Sequence, residues 1–152
     1  MYFVSMTQTL SPADMICYAL YSANHALTRT YRGLLEPLGL TYPQYLVLVV
    51  LWSAEGPQSV KAIGAQLRLD SGTLTPLIKR IEAAGLVDRA RNPQDERETL
   101  ISLTGAGQAL QAQAAHVPQA IFRALGMQID DIVALRDQIV TLRGHLDAPE
   151  AS

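Results

Sequence analysis

The sequence predicts a mainly α-helical chain with one small β-hairpin set inside it. Three features predict that class. Ala and Leu dominate a composition that is 49% hydrophobic and only 6% aromatic. Apolar residues recur at steps of three and four over most of the length. One short stretch, residues 86–103, instead reads as paired strands around a polar tip. The 152 residues suffice for one well-cored domain and fall short of two ordinary ones.

Each element has a local cause. Ser11-Pro12-Ala13-Asp14 reads as a helix start: Ser11 can cap, Pro12 fits the first helical position, and Asp14 holds the capping-box place. Ile16, Leu20, Ala23, Leu27, Leu34 and Leu38 form a helical stripe that stops near Pro37-Leu38-Gly39. Thr41 and Gln44 repeat the box spacing and open a second helix, whose Leu46–Trp52 run is almost wholly apolar and belongs in a core. Glu55-Gly56-Pro57 breaks the chain. A short helix follows from Ser59 to Leu67, with Val60, Ile63 and Leu67 on one face. Arg68-Leu69 is a tight connection. Asp70 or Ser71 then caps a helix from Gly72 to about Ala84, with Leu74, Leu77, Ile78 and Ile81 inward. Two short helices joined by a brief turn make a helix-turn-helix.

Gly85 ends that pair. Leu86–Arg91 and Glu98–Leu103 are strand-like, with Asn92–Arg97 as the tip between them. A hairpin directly after a helix-turn-helix is a wing, so residues 41–103 read as a winged helix-turn-helix core. From Thr104 a long helical region follows, lightly punctuated by Pro118 and Gly126. Its stripe of Ile121, Leu125, Ile129, Ile132, Leu135, Ile139, Leu142 and Leu146 needs a partner surface. Residues 11–40 and 104–146 are therefore expected to be dimerisation helices flanking the core within a single domain.

Net charge is −2, which by itself speaks against a nucleic-acid partner. Distribution reverses that. Residues 61–97 hold seven of the twelve basic residues and five of the fourteen acids, a local excess of two positive charges. No apolar run approaches the ~20 residues of a membrane span, and Met1–Leu10 lacks the pattern of a secretory signal. A cytoplasmic protein without a membrane partner is expected. One cysteine excludes an internal disulfide, and His25, His116 and His145 show no ligand spacing with it, so neither metal nor cofactor is expected.

The helix with Ser71, Gly72, Thr73, Thr75, Pro76, Lys79 and Arg80 carries small polar groups at its start and cations further on. Small hydroxyls can approach base edges or phosphates closely, Thr75 and Pro76 suit thymine methyls, and Lys79 and Arg80 can neutralise backbone charge. Arg97 on the wing can enter a minor groove, with Asp95 placed to orient its guanidinium. Arg89 and Arg91 suit phosphate contacts, although either could instead form a surface salt bridge.

Cys17 lies early in the first helix, where the positive end of the dipole favours a thiolate. Met15, Ile16, Leu20 and Trp52 could give it an apolar surround suited to lipophilic oxidants. Tyr21 stands one turn on. Tyr31 lies on the same face, but ~20 Å away along a straight helix, so only a crossing partner helix brings it to Cys17. Tyr42 could join them. Tyrosine hydroxyls can hydrogen-bond a thiolate. The same position also suits a small buried hydrophobe, the usual place of a free cysteine.

The block Leu69–Glu82, followed by Gly85-Leu86-Val87 and Asp95-Glu96-Arg97, resembles the MarR-type winged-helix regulators over about residues 12–145. That resemblance implies a homodimer whose recognition helices enter successive major grooves of a pseudo-palindromic double-stranded DNA operator, with the wings in flanking minor grooves. Cys17–Tyr21, Tyr31–Leu35 and Leu40–Leu46 are similar to the organic-hydroperoxide-sensing OhrR-like branch of one-cysteine type. It implies that Cys17 is the redox-sensing residue, that Tyr21, Tyr31 and Tyr42 stabilise its thiolate, and that an organic hydroperoxide and a small thiol are its reactants. Two other functions fit less of the sequence: control by a reversibly bound aromatic or phenolic ligand, and a one-cysteine thiol peroxidase.

Overall fold

The computed structural model describes residues 11–148. Ser11 does cap, but only a single 3-10 turn, Pro12–Asp14, with its hydroxyl accepting from Ala13 N. Met15 then turns extended, and α1 (Ile16–Leu35) starts without a side-chain cap. The expected Ser11–Asp14 capping box does not form, because Pro12–Asp14 closes its own turn before α1 begins. A 3-10 turn, Glu36–Leu38, follows α1, and Gly39, at φ 70°, ends that turn while Leu40 N reaches Leu35 O.

At α2 (Tyr42–Ser53) the capping box is complete, with Gln44 N on Thr41 Oγ1 and Thr41 N on Gln44 Oε1. Tyr45, Val47, Leu48, Val50 and Leu51 are buried along it, so α2 is the central pillar of the core. Each large apolar side chain buried here contributes ~1.5–3 kcal/mol. A two-residue strand, β1 (Gln58–Ser59), precedes α3 (Val60–Leu67), and no local pattern signals it. Ser59 ends β1 and also caps α3 through Ala62 N. α4 (Ser71–Ala83) follows, capped by Asp70 Oδ1 on Thr73 N at 2.7 Å. The turn between them is tight: a Cβ on Gly64 would lie 2.6 Å from the Leu69 carbonyl oxygen, so this approach requires glycine.

The wing is β2 (Val87–Asn92) against β3 (Asp95–Leu103), antiparallel, with β1 on the other edge of β3. The strands run further than expected and leave only Pro93-Gln94 at the tip. Asn92 causes this: its Oδ1 accepts from Gln94 N while its Nδ2 donates to Glu98, and a register shift at Arg91/Asn92 absorbs the bend. α5 (Gly105–Ala114) begins at Thr104, whose hydroxyl donates to Gly85 O and accepts from Gly107 N. Trp52 donates its indole N–H to Gly107 O at 3.0 Å, joining α2 to α5.

The chain divides into two compact units after Val117. The first contains all the elements through α5. The second holds most of α6 (Val117–Leu125) and α7 (Ile129–Asp147), so the long helical region is three helices, with Pro118 at the start of α6 and Gly126, at φ 63°, between α6 and α7. No residue of α7 is buried, and Ile129, Leu135, Ile139 and Leu146 of its stripe are exposed. Among the described residues, no single helix is long and apolar enough to cross a membrane.

Candidate nucleic-acid interface and thiol site

α4 presents two chemically distinct faces. Leu74, Leu77, Ile78 and Ile81 are buried, which turns Gly72, Thr73, Pro76, Lys79 and Arg80 outward, with Thr75 half-covered and Ser71 exposed at the first turn. Core packing therefore fixes the outer face rigidly. Small groups stand at its N-terminal end and two cations a turn further on.

On the wing, Arg97 lies within β3 and not at the tip, since Asn92 and Asp95 already pair across the turn. Its side chain is 93% exposed, and Asp95 Oδ1 accepts from both its backbone N–H (3.1 Å) and its Nε (3.3 Å). Asp95 thus holds Arg97 in a defined direction. Arg91 is exposed on β2. Arg89 is engaged with Glu82 of α4 at 2.6 Å, so it fastens wing to helix as a salt bridge. Between α3, the turn, the start of α4 and β3 runs a groove of about 850 Å³. Lys61 and Arg68 reach this groove, and sequence reasoning had not chosen them. The only hint was their place in the basic stretch.

Cys17 is the second residue of α1 and is exposed, as are Met15 and Ile16. Within one chain the buried-hydrophobe reading fails. The expected surround is not assembled around it either: Trp52 stacks edge-on to Tyr45 with centroids 6.1 Å apart and spends its N–H on Gly107. Tyr21 packs against His25 (4.4 Å) and Tyr18 (6.5 Å), forming an exposed aromatic ladder along α1.

The other two tyrosines do meet. Tyr31 and Tyr42 stack with centroids 4.2 Å apart, and Tyr45 adds a third ring 6.1 Å from Tyr31. Tyr45 was missed, although it stands one turn from Tyr42 on α2. Burial first, then the neighbouring phenols of Tyr42 and Tyr45, push Tyr31 from its ordinary 10.0 up to about 12. Burial also raises Tyr45. The cluster lies fourteen residues along α1 from Cys17, ~21 Å by helical rise.

A family model described as transcriptional regulator SarA/Rot matches residues 29–113. The HTH-type transcriptional regulator TtmR of Methylorubrum extorquens is 50% identical over 139 residues, covering 91% of this chain and 71% of that protein. The organic hydroperoxide resistance transcriptional regulator of Bacillus subtilis is 43% identical over 129 residues, 85% and 87% of the two chains. The chain belongs to the MarR family of winged-helix transcriptional regulators. Reduced AbfR bound to DNA, from Staphylococcus epidermidis, matches this MarR-family chain with a TM-score of 0.76 and 34% identity over 90% of it and 94% of AbfR. AbfR has also been solved overoxidised on DNA and in a disulfide form.

Proposed function

We propose that this MarR-family regulator is a homodimeric repressor that leaves a pseudo-palindromic DNA operator when organic hydroperoxide oxidises Cys17. The observation that carries the redox part is Cys17 itself: the chain's one thiol, exposed in the first turn of α1, where free cysteines are ordinarily buried. α4 with Ser71, Gly72, Thr73, Thr75, Pro76, Lys79 and Arg80 reads the major groove. Arg97, oriented by Asp95, enters the minor groove, and Arg91 takes phosphate. The exposed apolar faces of α1 and α7 bury against a second copy.

Tyr31 remains a neutral O–H donor at every physiological pH, which is what a thiolate needs beside it. Its distance from Cys17 along α1 means that the Tyr31–Tyr42 pair of one copy serves the thiolate of the other. Tyr21, one turn from Cys17, covers it on its own helix. The thiolate attacks the terminal peroxide oxygen, giving Cys17 sulfenic acid and, after protonation, an alcohol. A small thiol then condenses with the sulfenic acid, forming a mixed disulfide and water. Bulk in place of a hydrogen-bonded thiolate shifts the interface and respaces the two α4 helices. The protein regulates in the cytoplasm, where its DNA is, and turns over no substrate.

One observation favours a second reading. A cleft of about 480 Å³ opens beside Tyr42, lined by Arg32, Glu36, Leu40, Thr41 and Pro43 among others, with room for a reversibly bound aromatic or phenolic ligand. Operator binding by wild type and Cys17→Ser, titrated with cumene hydroperoxide and free cysteine, separates the two. The redox reading expects release by the wild type alone; release by both would sink it.

A further inference from the structure

The tyrosine cluster and the DNA-reading elements are joined through one side chain, Trp52. Tyr45 and Trp52 stand seven residues apart on α2, about two turns along one stripe of the helix. Tyr45 packs 6.1 Å from Tyr31 on one side and 6.1 Å from Trp52 on the other, so rings run from Tyr42 to the indole without a break. The indole donates its N–H to Gly107 O at 3.0 Å. Tryptophan has that one donor and no acceptor, so the bond is either made or lost.

Its acceptor stands at a junction. Gly107 lies in the first turn of α5 against the Leu86 carbonyl, where a Cβ has no room. Leu86 joins α4 to the wing: its N–H donates to Ile81 O at 3.1 Å, its carbonyl accepts from Thr104 N at 3.0 Å, and Val87 begins β2. Thr104 also donates its hydroxyl to Gly85 O at 2.6 Å. The start of α5 is thus pinned where α4 passes into the wing, and Trp52 ties that junction to the tyrosines.

We propose that Trp52 is the positioning residue that couples the tyrosine cluster to DNA binding. Its bond to Gly107 seats α5, and with it α4 and the wing, in the arrangement that grips DNA. Oxidation of Cys17 disturbs the tyrosines, Tyr45 turns the indole, and the bond opens. This rests on the redox reading above.

The test uses full-length wild type, Trp52→Phe and Val47→Ala on a duplex that the wild type selects from a randomised pool. Affinity is read by anisotropy before and after treatment with cumene hydroperoxide and free cysteine. Trp52→Phe keeps a ring and loses the N–H. It should weaken binding by the reduced protein about 2- to 30-fold and leave binding by the oxidised protein unchanged, so the ratio between the two falls by the same factor. Val47 is buried on α2 and turned away from the aromatic stripe, so Val47→Ala should lower the thermal midpoint and keep the wild-type ratio. Emission from Trp52, the chain's only tryptophan, should shift as Cys17 is oxidised in DNA-free wild type, and should stay fixed in Cys17→Ser. A wild-type ratio in Trp52→Phe, or unmoved emission from a wild type that releases DNA, would overturn the Trp52 assignment alone. So would an equal fall of the ratio in Val47→Ala, which would reduce the effect to stability. If the wild type binds equally well reduced and oxidised, the redox reading fails and takes this inference with it.

Discussion

Replacing Gly107 by alanine tests whether α5 is seated on the wing as tightly as the structure has it. A Cβ there would stand 2.0 Å from the Leu86 carbonyl oxygen and 3.2 Å from Leu103 Cδ2. Backbone, not a pliable side chain, is in the way, so α5 must move. Overpacking of this kind costs ~1–3 kcal/mol. Movement also strains the Trp52 bond to Gly107 O, worth ~1 kcal/mol. Alanine's better helix propensity returns ~1 kcal/mol, leaving a net loss of ~2 kcal/mol. The assay is urea unfolding at fixed protein concentration, followed by the fluorescence of Trp52, the chain's only tryptophan. Gly105→Ala is the control, because nothing lies within 4 Å of its added Cβ, and it should be neutral or slightly stabilising. Equal stability for the two variants would refute the close approach of α5 to Leu86 and β3.

Other outcomes follow from single contacts. Tyr31 holds its proton more tightly folded (about 12) than at its ordinary 10.0, so its contribution to stability is complete below pH 10 and is lost as pH rises towards 12. Unfolding free energies across that window, and phenolate absorbance, should lose this component in Tyr31→Phe; an unchanged profile would contradict the burial. Asp70→Ala should cost ~1 kcal/mol and Asp70→Asn much less, read by thermal melting, because the cap needs only an acceptor for Thr73 N. Equal losses would argue against capping. Arg97→Ala should leave stability within ~0.5 kcal/mol, its side chain being almost fully exposed, yet weaken DNA binding measurably by anisotropy. Undiminished binding would remove Arg97 from the interface.

What the sequence disclosed depended on the range of the interaction. Helix starts and stops that rest on local chemistry, such as Thr41 with Gln44 or Asp70 before α4, were legible because the cap and the capped N–H are three residues apart. The inward face of α4 was legible for the same reason: its period is local. Ser11 misled, because the cap chemistry is shared by a 3-10 turn and only the extended Met15 distinguishes them. β1 was invisible, since its two residues become a strand only through pairing with Leu100 and Ile101, some forty positions away. Arg89 offered two equal partners, and Glu82 claimed it only once α4 and β2 were packed together. Among the tyrosines, the Tyr31–Tyr42 stack needs the bend between α1 and α2, whereas Tyr21 stays on its own helix with His25. Cys17 was legible as a position and not as an environment.

The measurement that bears most directly on the central claim combines mass spectrometry of Cys17 with DNA binding in a single organic hydroperoxide titration, in the presence of a small thiol. The account predicts that the fraction of Cys17 carried as mixed disulfide rises in step with the fraction of DNA released, and that a thiol reductant reverses both. DNA released while Cys17 remains unmodified would contradict it.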